Sequence, residues 1–376
     1  MASFAGAAEP TAEAGALALL GSGQQLESVR LLGFGSGVCI LLELSEERRT
    51  EGDQQVETGT QHSPGIMSAS HEKCCRIYLN VSSGVFLDAP PPPPSLTFSE
   101  EWREINWGDE ESLQCVRDYK PVTDGINLLR VLLYGPVGAG KSSFINSVVS
   151  TIRGRMSVPA AASATTAGRS FTTKYETHYI KIGKGNQGTY PIVFNDIMGL
   201  EEGDTQGVLP ADIKLTMEGH VKEGYMFNAA GPLSDANPGY NKSPSLDDRV
   251  HVLVCVLSAN SAEITDSVLR KMAEVREMAR DLGIPQMMII TKIDEACPET
   301  EKTLRNVYMS KYVKQKMKDF SSAVGIPMNC IFPVKNYSEE IEMKDDVDIL
   351  ILSALRKMID FGDDFIDKIK EKEEEK

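Results

Sequence analysis

Long apolar runs are scarce in this sequence. The segment from Leu31 to Leu44 is broken by Gly33, Gly35 and Gly37, and it falls short of the ~20 residues that a membrane-spanning helix needs. Basic residues are also in short supply. Lys and Arg number 39 against 54 Asp and Glu, for a net charge of −15 and a pI near 4.9. That balance argues against general nucleic-acid binding, which needs a basic face, and against a purely electrostatic membrane anchor. The acidic end, Glu371 to Lys376, reads as a solvated, fraying helix terminus.

Patterned cysteine is missing too. Seven cysteines (Cys39, Cys74, Cys75, Cys115, Cys255, Cys297, Cys330) are odd in number and scattered, so neither a disulfide framework nor paired zinc knuckles is expected. Free thiols in a reducing compartment are expected instead. His71 near Cys74-Cys75 supplies too few ligands for structural zinc. Residues 1–22 carry Glu9 and Glu13 and have no basic start, unlike a secretory signal. A soluble, cytoplasmic protein without a transmembrane segment is the expectation.

What the sequence does have is concentrated between Leu128 and Arg153. An apolar strand through Leu132-Leu133-Tyr134 leads into Gly135-Pro136-Val137-Gly138-Ala139-Gly140-Lys141-Ser142, and Ser143 onward has helical spacing through Phe144, Val148 and Ile152. This is the G-x-x-x-x-G-K-S pattern of a phosphate-binding loop. Glycines let the backbone wrap an anion, and the helix N-terminus adds partial positive charge. Lys141 would reach the β- and γ-phosphates, and Ser142 would ligate Mg²⁺.

Two more motifs follow in order. The run Tyr190 to Phe194 ends in Asn195-Asp196-Ile197-Met198-Gly199, where Asp196 would hold Mg²⁺ through water and the Gly199 amide would sense the γ-phosphate. Gln286 to Ile290 ends in Thr291-Lys292-Ile293-Asp294. Asp294 could accept from both N1–H and the exocyclic amine of guanine, a donor pair that adenine lacks, and the Lys292 stem would pack over the ring. Between the first two motifs, Ser157 to Ser170 is a small, polar loop where a nucleotide switch would place a threonine on Mg²⁺. Thr166 is the leading candidate beside Thr165, with Thr172 and Thr173 as further ones. Lys335-Asn336-Tyr337 stands where a backbone amide would touch the guanine oxygen.

Around these motifs the chain divides. Residues 1–95 form an N-terminal extension, read as partly disordered or as a small β segment. Strands are expected within Val29–Leu44 and Arg76–Leu87, and Pro90 to Pro94 form a stiff spacer. Residues 96–376 form the nucleotide domain. Phe98 to Trp107 reads as a clamp packing onto it, and Glu110 to Tyr119 as a helix. Lys174 to Ile182 reads as a strand, and about 201–249 as an insert with a helix near Ala211 to Val221. Val250 to Leu257 reads as a strand buried on both faces. Helices are expected over Ala262–Leu282, Glu299–Phe320 and Asp346–Lys370, the last capped by Asp345 and Asp346, with a strand at Cys330–Val334.

From Phe98 to Asp367 the chain resembles the interferon-induced protein 44 family, including its 44-like members. FSEEWREINW, YGPVGAGKSSFINSV, NDIMGLEEG, EGHVKEGYMFN, TKIDEACP, VKNYSEE and DVDILILSALRKM carry the likeness. The resemblance implies a cytoplasmic GTP-binding protein, induced by interferon and tied to innate antiviral defence. Many members of that family also carry a TLDc-type domain, which residues 1–95 do not resemble.

The expected fold is α/β, a doubly wound, mainly parallel P-loop NTPase sheet like that of G domains. The expected ligands are GTP or GDP with Mg²⁺, held by Gly135, Gly138, Ala139, Gly140, Lys141, Ser142, Ser143, Thr166, Asp196, Gly199, Thr291, Lys292, Asp294 and Lys335. Ser142, Thr166 and Asp196 are the metal-side residues. Leu200 occupies the place where fast switches carry a water-orienting glutamine. Slow hydrolysis, or hydrolysis stimulated by a protein partner or self-association, is therefore expected, with a non-hydrolysing GTP-bound scaffold as the alternative.

Overall fold

The computed structural model describes residues 24–34, 37–46, 95–108, 110–121, 125–160, 172–185, 187–203, 206–261 and 264–374. The chain divides into two units, Met1–Pro92 and Pro93–Lys376. In the first, β1 (Gln24–Phe34) and β2 (Gly37–Glu46) pair antiparallel, with a register irregularity between Leu26 and Ser28. The strands expected around the glycines of this stretch are thus a hairpin. The strand expected at Arg76–Leu87, the Pro90–Pro94 spacer and the His71-Cys74-Cys75 trio lie outside the described residues.

The second unit is built on a sheet in the order β4-β5-β3-β6-β7-β8. Its strands are β3 (Leu129–Tyr134), β4 (Glu176–Lys181), β5 (Thr189–Asp196), β6 (Val252–Ser258), β7 (Gln286–Thr291) and β8 (Ile331–Pro333). Every pairing is parallel except β4 with β5. β3 and β6 are buried at every position, as unbroken apolar strands covered on both faces must be. The chain leaves β3 toward β5 and leaves β6 toward β7. The order therefore reverses between these neighbours, which opens a crevice at their C-terminal ends.

The helices are α1 (Glu110–Asp118), α2 (Lys141–Arg153), α3 (Pro210–Met217), α4 (Asp266–Leu282), α5 (Ile293–Ala296), α6 (Pro298–Lys302), α7 (Lys311–Val324) and α8 (Asp345–Glu374). α1, α2 and α8 pack together, and α3, α4 and α7 form a second group. This is the doubly wound, mainly parallel α/β architecture expected.

The single helix expected over Glu299–Phe320 is a correction. The chain breaks at Thr303, whose backbone is extended, runs through a 3-10 turn at Leu304–Tyr308, and restarts at α7. Ser310 starts that helix because its Oγ accepts from Val313 N at 3.2 Å, an N-cap that competes with helix continuation. The break positions Tyr308 edge-on to Trp102, with centroids 5.3 Å apart. Arg103 donates to the carbonyls of Ile331 (2.7 Å) and Met328 (2.5 Å). The Phe98–Trp107 segment is therefore the clamp its aromatics suggested. Asp345 and Asp346 lie in the first turn of α8 rather than ahead of it, where their charge suits the helix dipole.

Candidate functional site

β3 delivers the phosphate-loop sequence to the crevice. Gly135 is required there by close approach, since a Cβ would lie 2.2 Å from the Val256 carbonyl oxygen on β6. The loop passes Gly138 (φ 75°) and buried Ala139, then turns at Gly140 (φ 90°) into α2. Lys141, in the first turn, is buried, and its Nζ donates to the carbonyls of Gly135 and Pro136 at 3.1 Å each. Burial lowers its pKa, against an opposing pull from Asp196. The carbonyl of Ser143 accepts from Ser147 Oγ at 2.8 Å, inside α2.

At the end of β5, Asp196 is 1 % exposed. Its Oδ2 accepts from Ser142 Oγ and, at 3.3 Å, from Thr172 Oγ1. Thr172 Oγ1 also lies 3.4 Å from Ser142 Oγ. Asp196 Oδ1 is buried with no hydrogen-bond partner among the described residues. Two hydroxyls and a carboxylate thus converge beside the first turn of α2. These are hard oxygen donors of the kind Mg²⁺ takes, and the unpartnered oxygen gives a cation something to satisfy. Thr165 and Thr166 lie outside the described residues. Thr172 reaches the cluster because it leads into β4, whose Glu176 pairs with Asp196 across the sheet.

Beyond Asp196 the backbone is tied to the phosphate loop. Leu200 N donates to Gly135 O (3.0 Å), and Val137 N donates to Leu200 O (3.2 Å). A Cβ on Gly199 would lie 2.6 Å from Val137 Cγ2, so the motif glycine lies flat on the loop. From α4, the buried Lys271 Nζ donates to the carbonyls of Glu201 (3.0 Å), Gly203 (2.7 Å) and Gln206 (2.8 Å). This contact is not legible in the sequence, because nothing local marks a helix lysine as a clamp.

The side of the crevice at the ends of β7 and β8 is built differently. Thr291 Oγ1 donates to Ala139 O at 2.7 Å, tying β7 to the phosphate loop. Lys292 has φ 57° and is the one non-glycine with positive φ among the described residues. Such strain, of order 1 kcal/mol, gathers at functional positions. Asp294 pairs with Lys335 Nζ at 3.1 Å, and the same ammonium pairs with Glu340 at 2.8 Å. Burial alone would lower the Lys335 pKa, but the two carboxylates outweigh it and raise the pKa. Next along the chain, Asn336 Nδ2 donates to Gly140 O at 3.2 Å. Tyr337 N donates to Ser147 Oγ at 2.9 Å. A cavity of about 400 Å³ opens beside Asp294 and Lys335, toward Arg305 and Lys344.

Apart from Thr166, every residue expected at the site is therefore described, and all lie at the C-terminal ends of β3, β5, β7 and β8. No group of three or more His, Cys, Asp or Glu residues that could hold a metal occurs among the described residues. Nor is any helix among them long and apolar enough to cross a membrane. Cys115, Cys255, Cys297 and Cys330 are free thiols.

No family model matches the chain. Among solved structures, the chain is similar to Toc33 from Arabidopsis thaliana. A dimerization-deficient mutant matches at 15% identity and TM-score 0.37, covering 63% of this chain and 85% of that one. The complex with GDP and Mg²⁺ matches at 13% identity and TM-score 0.34, covering 62% and 84%. Curated relatives are nearer. Interferon-induced protein 44-like from Homo sapiens is 33% identical over 258 residues, 68% of this chain and 56% of that protein. Interferon-induced protein 44 from Mus musculus is 34% identical over 260 residues, 68% of this chain and 60% of that protein. The match thus spans little more than half the length of these relatives. Through it, the chain belongs to the interferon-induced protein 44 family.

Proposed function

We propose that this chain binds GTP and GDP with Mg²⁺ in the crevice between β3 and β6. The observation that carries the reading is the convergence of Ser142, Thr172 and the half-satisfied Asp196 carboxylate beside the buried Lys141. Gly135, Gly138, Ala139, Gly140, Lys141, Ser142 and Ser143 line the phosphate path. Ser142, Thr172 and Asp196 would hold Mg²⁺, which when bound neutralises phosphate charge. Thr166, which lies outside the described residues, remains a candidate for the same role as Thr172. Gly199 faces the γ-phosphate, and Thr291, Lys292 and Asp294 form the guanine side. Lys335 holds Asp294 through Oδ2 alone, so the carboxylate keeps acceptor sites for guanine N1–H and N2–H.

Hydrolysis on this reading is slow. Leu200 offers no polar side chain to orient water, and its backbone is engaged by the phosphate loop. Turnover then depends on a protein partner or on self-association. A GTP-bound scaffold without turnover is the second reading, favoured by the same apolar Leu200. The relatives' names support interferon induction, and our reading adds an innate antiviral role in the cytoplasm. The net charge of −15 weighs against nucleic acid as partner.

Calorimetry with GTP, GDP and ATP in Mg²⁺, on the wild type and Lys141→Ala, tests the site. The expected result is guanine-selective binding that weakens about a hundredfold in the variant, as loss of a buried charged contact does. Equal binding of ATP, or retained affinity in Lys141→Ala, sinks it. Hydrolysis rate against protein concentration then separates an association-dependent enzyme from a scaffold.

A further inference from the structure

We infer that Asn336 reads the imidazole edge of the bound purine, through a hydrogen bond from its side-chain amide to N7. The inference rests on the nucleotide reading above and deepens it. Asp294 answers only the donor edge of guanine, N1–H and N2–H. N7, on the other side of the ring, is an acceptor and needs a donor from the protein.

The residues nearest that task are engaged elsewhere. Thr291, which heads the base motif, has one hydroxyl proton; it is fully buried and directed at Ala139 O (2.7 Å) and Leu257 O (3.3 Å). The Lys335 ammonium is held between Asp294 and Glu340. The Tyr337 amide donates to Ser147 Oγ. Asn336 is different. Its Nδ2 carries two protons, and one bond, to Gly140 O at 3.2 Å, accounts for one of them. Its Oδ1 is buried with no hydrogen-bond partner among the described residues. Asn336 is half-buried, and its second Nδ2 proton, not the acceptor Oδ1, is the group that could meet an acceptor such as N7.

Placement supports the same role. A Cβ built on Gly140 would lie 3.0 Å from Asn336 Nδ2 and 3.3 Å from Thr291 Oγ1. The amide and the base motif therefore meet where the phosphate loop turns into α2. The Gly140 carbonyl also fixes the amide's sense, because the flipped form would set two oxygens against each other. On the far side the loop is anchored by the Tyr337 hydroxyl, which donates to Asp348 at 2.9 Å, and by Tyr337 N on Ser147. N7 is common to guanine and adenine, so Asn336 contributes affinity while Asp294 makes the choice of base.

The test compares GDP with 7-deaza-GDP, whose N7 is a carbon, by calorimetry on the full chain. The wild type should bind 7-deaza-GDP roughly five- to tenfold more weakly, the worth of one hydrogen bond. Asn336→Ala should bind GDP weaker by a similar factor and no longer tell the two apart. Asn336→Asp, close in shape but lacking the N–H donors, should also lose the distinction, and thermal melts check that both variants fold. Should either variant misfold, the wild-type comparison still decides: equal binding of the two nucleotides overturns the inference. So does a variant that keeps the full preference for GDP. If the wild type binds no guanine nucleotide at all, the nucleotide reading itself falls, and this inference with it.

Discussion

The two halves of the crevice are made by different means. On the phosphate side, backbone meets backbone: Gly135 lies against Val256 O, and Leu200 pairs with Gly135 and Val137. On the base side, side chains from separate loops meet: Asp294, Lys335 and Glu340 by charge, and Asn336 by its amide. The first arrangement tolerates almost no change of residue, because its contacts are fixed by chain geometry. The second can exchange partners, because its contacts sit at the ends of rotatable chains.

The contrast is broken most sharply at Gly135. Gly135→Ala places a methyl 2.2 Å from a backbone oxygen at φ 144° and should lower folding stability by about 3 kcal/mol or more. Denaturant unfolding reads the change, and a loss under about 1 kcal/mol would show that the phosphate half yields after all.

Acid is the next lever. Arg130 N, which feeds the phosphate strand, donates to His251 Nδ1 at 3.0 Å, and Nε2 meets Leu246 O at 3.2 Å. That geometry needs a neutral ring, and burial pushes the pKa down from 6.5 to about 4. Between those values the unfolded chain takes up a proton that the folded chain refuses. Stability is therefore lost as pH falls from about 6.5 to about 4, by up to ~3 kcal/mol, with no further loss from this group below. Melts across that window, beside those of His251→Asn, should isolate this share; identical slopes in the two proteins would contradict it.

The smallest effect belongs to the base half. Lys292→Gly relaxes the left-handed backbone at φ 57° and should stabilise the fold by about 1 kcal/mol, while weakening guanine-nucleotide affinity. A loss of stability would mean that the Lys292 side chain holds the fold.

The same contrast governs what could be read from the sequence. The phosphate loop, Asp196-x-x-Gly199 and Thr291-Lys292-Ile293-Asp294 were legible because backbone geometry dictates residue type over a few consecutive positions. The long α8 and the buried strands were legible from period and apolar content. Thr172 is harder to pick out, since four threonines share the approach to β4 and its nearness to Asp196 follows from the pairing of β4 with β5; Thr165 and Thr166 lie outside the described residues. Lys271 and Asn336 are harder still, because each meets partners far along the chain, and Glu340 meets Lys335 only through the fold of the loop between them. The break at Thr303 and Ser310 was missed because a serine cap can override a helical period.

Lys271 carries a consequence for how the chain loosens. One buried ammonium holds the carbonyls of Glu201, Gly203 and Gln206, so these three contacts cannot be given up piecemeal without leaving that charge under-solvated. The three carbonyls are therefore tied to one another through a single charge, and Lys271→Met should loosen Glu201, Gly203 and Gln206 together, read as a common rise in amide exchange.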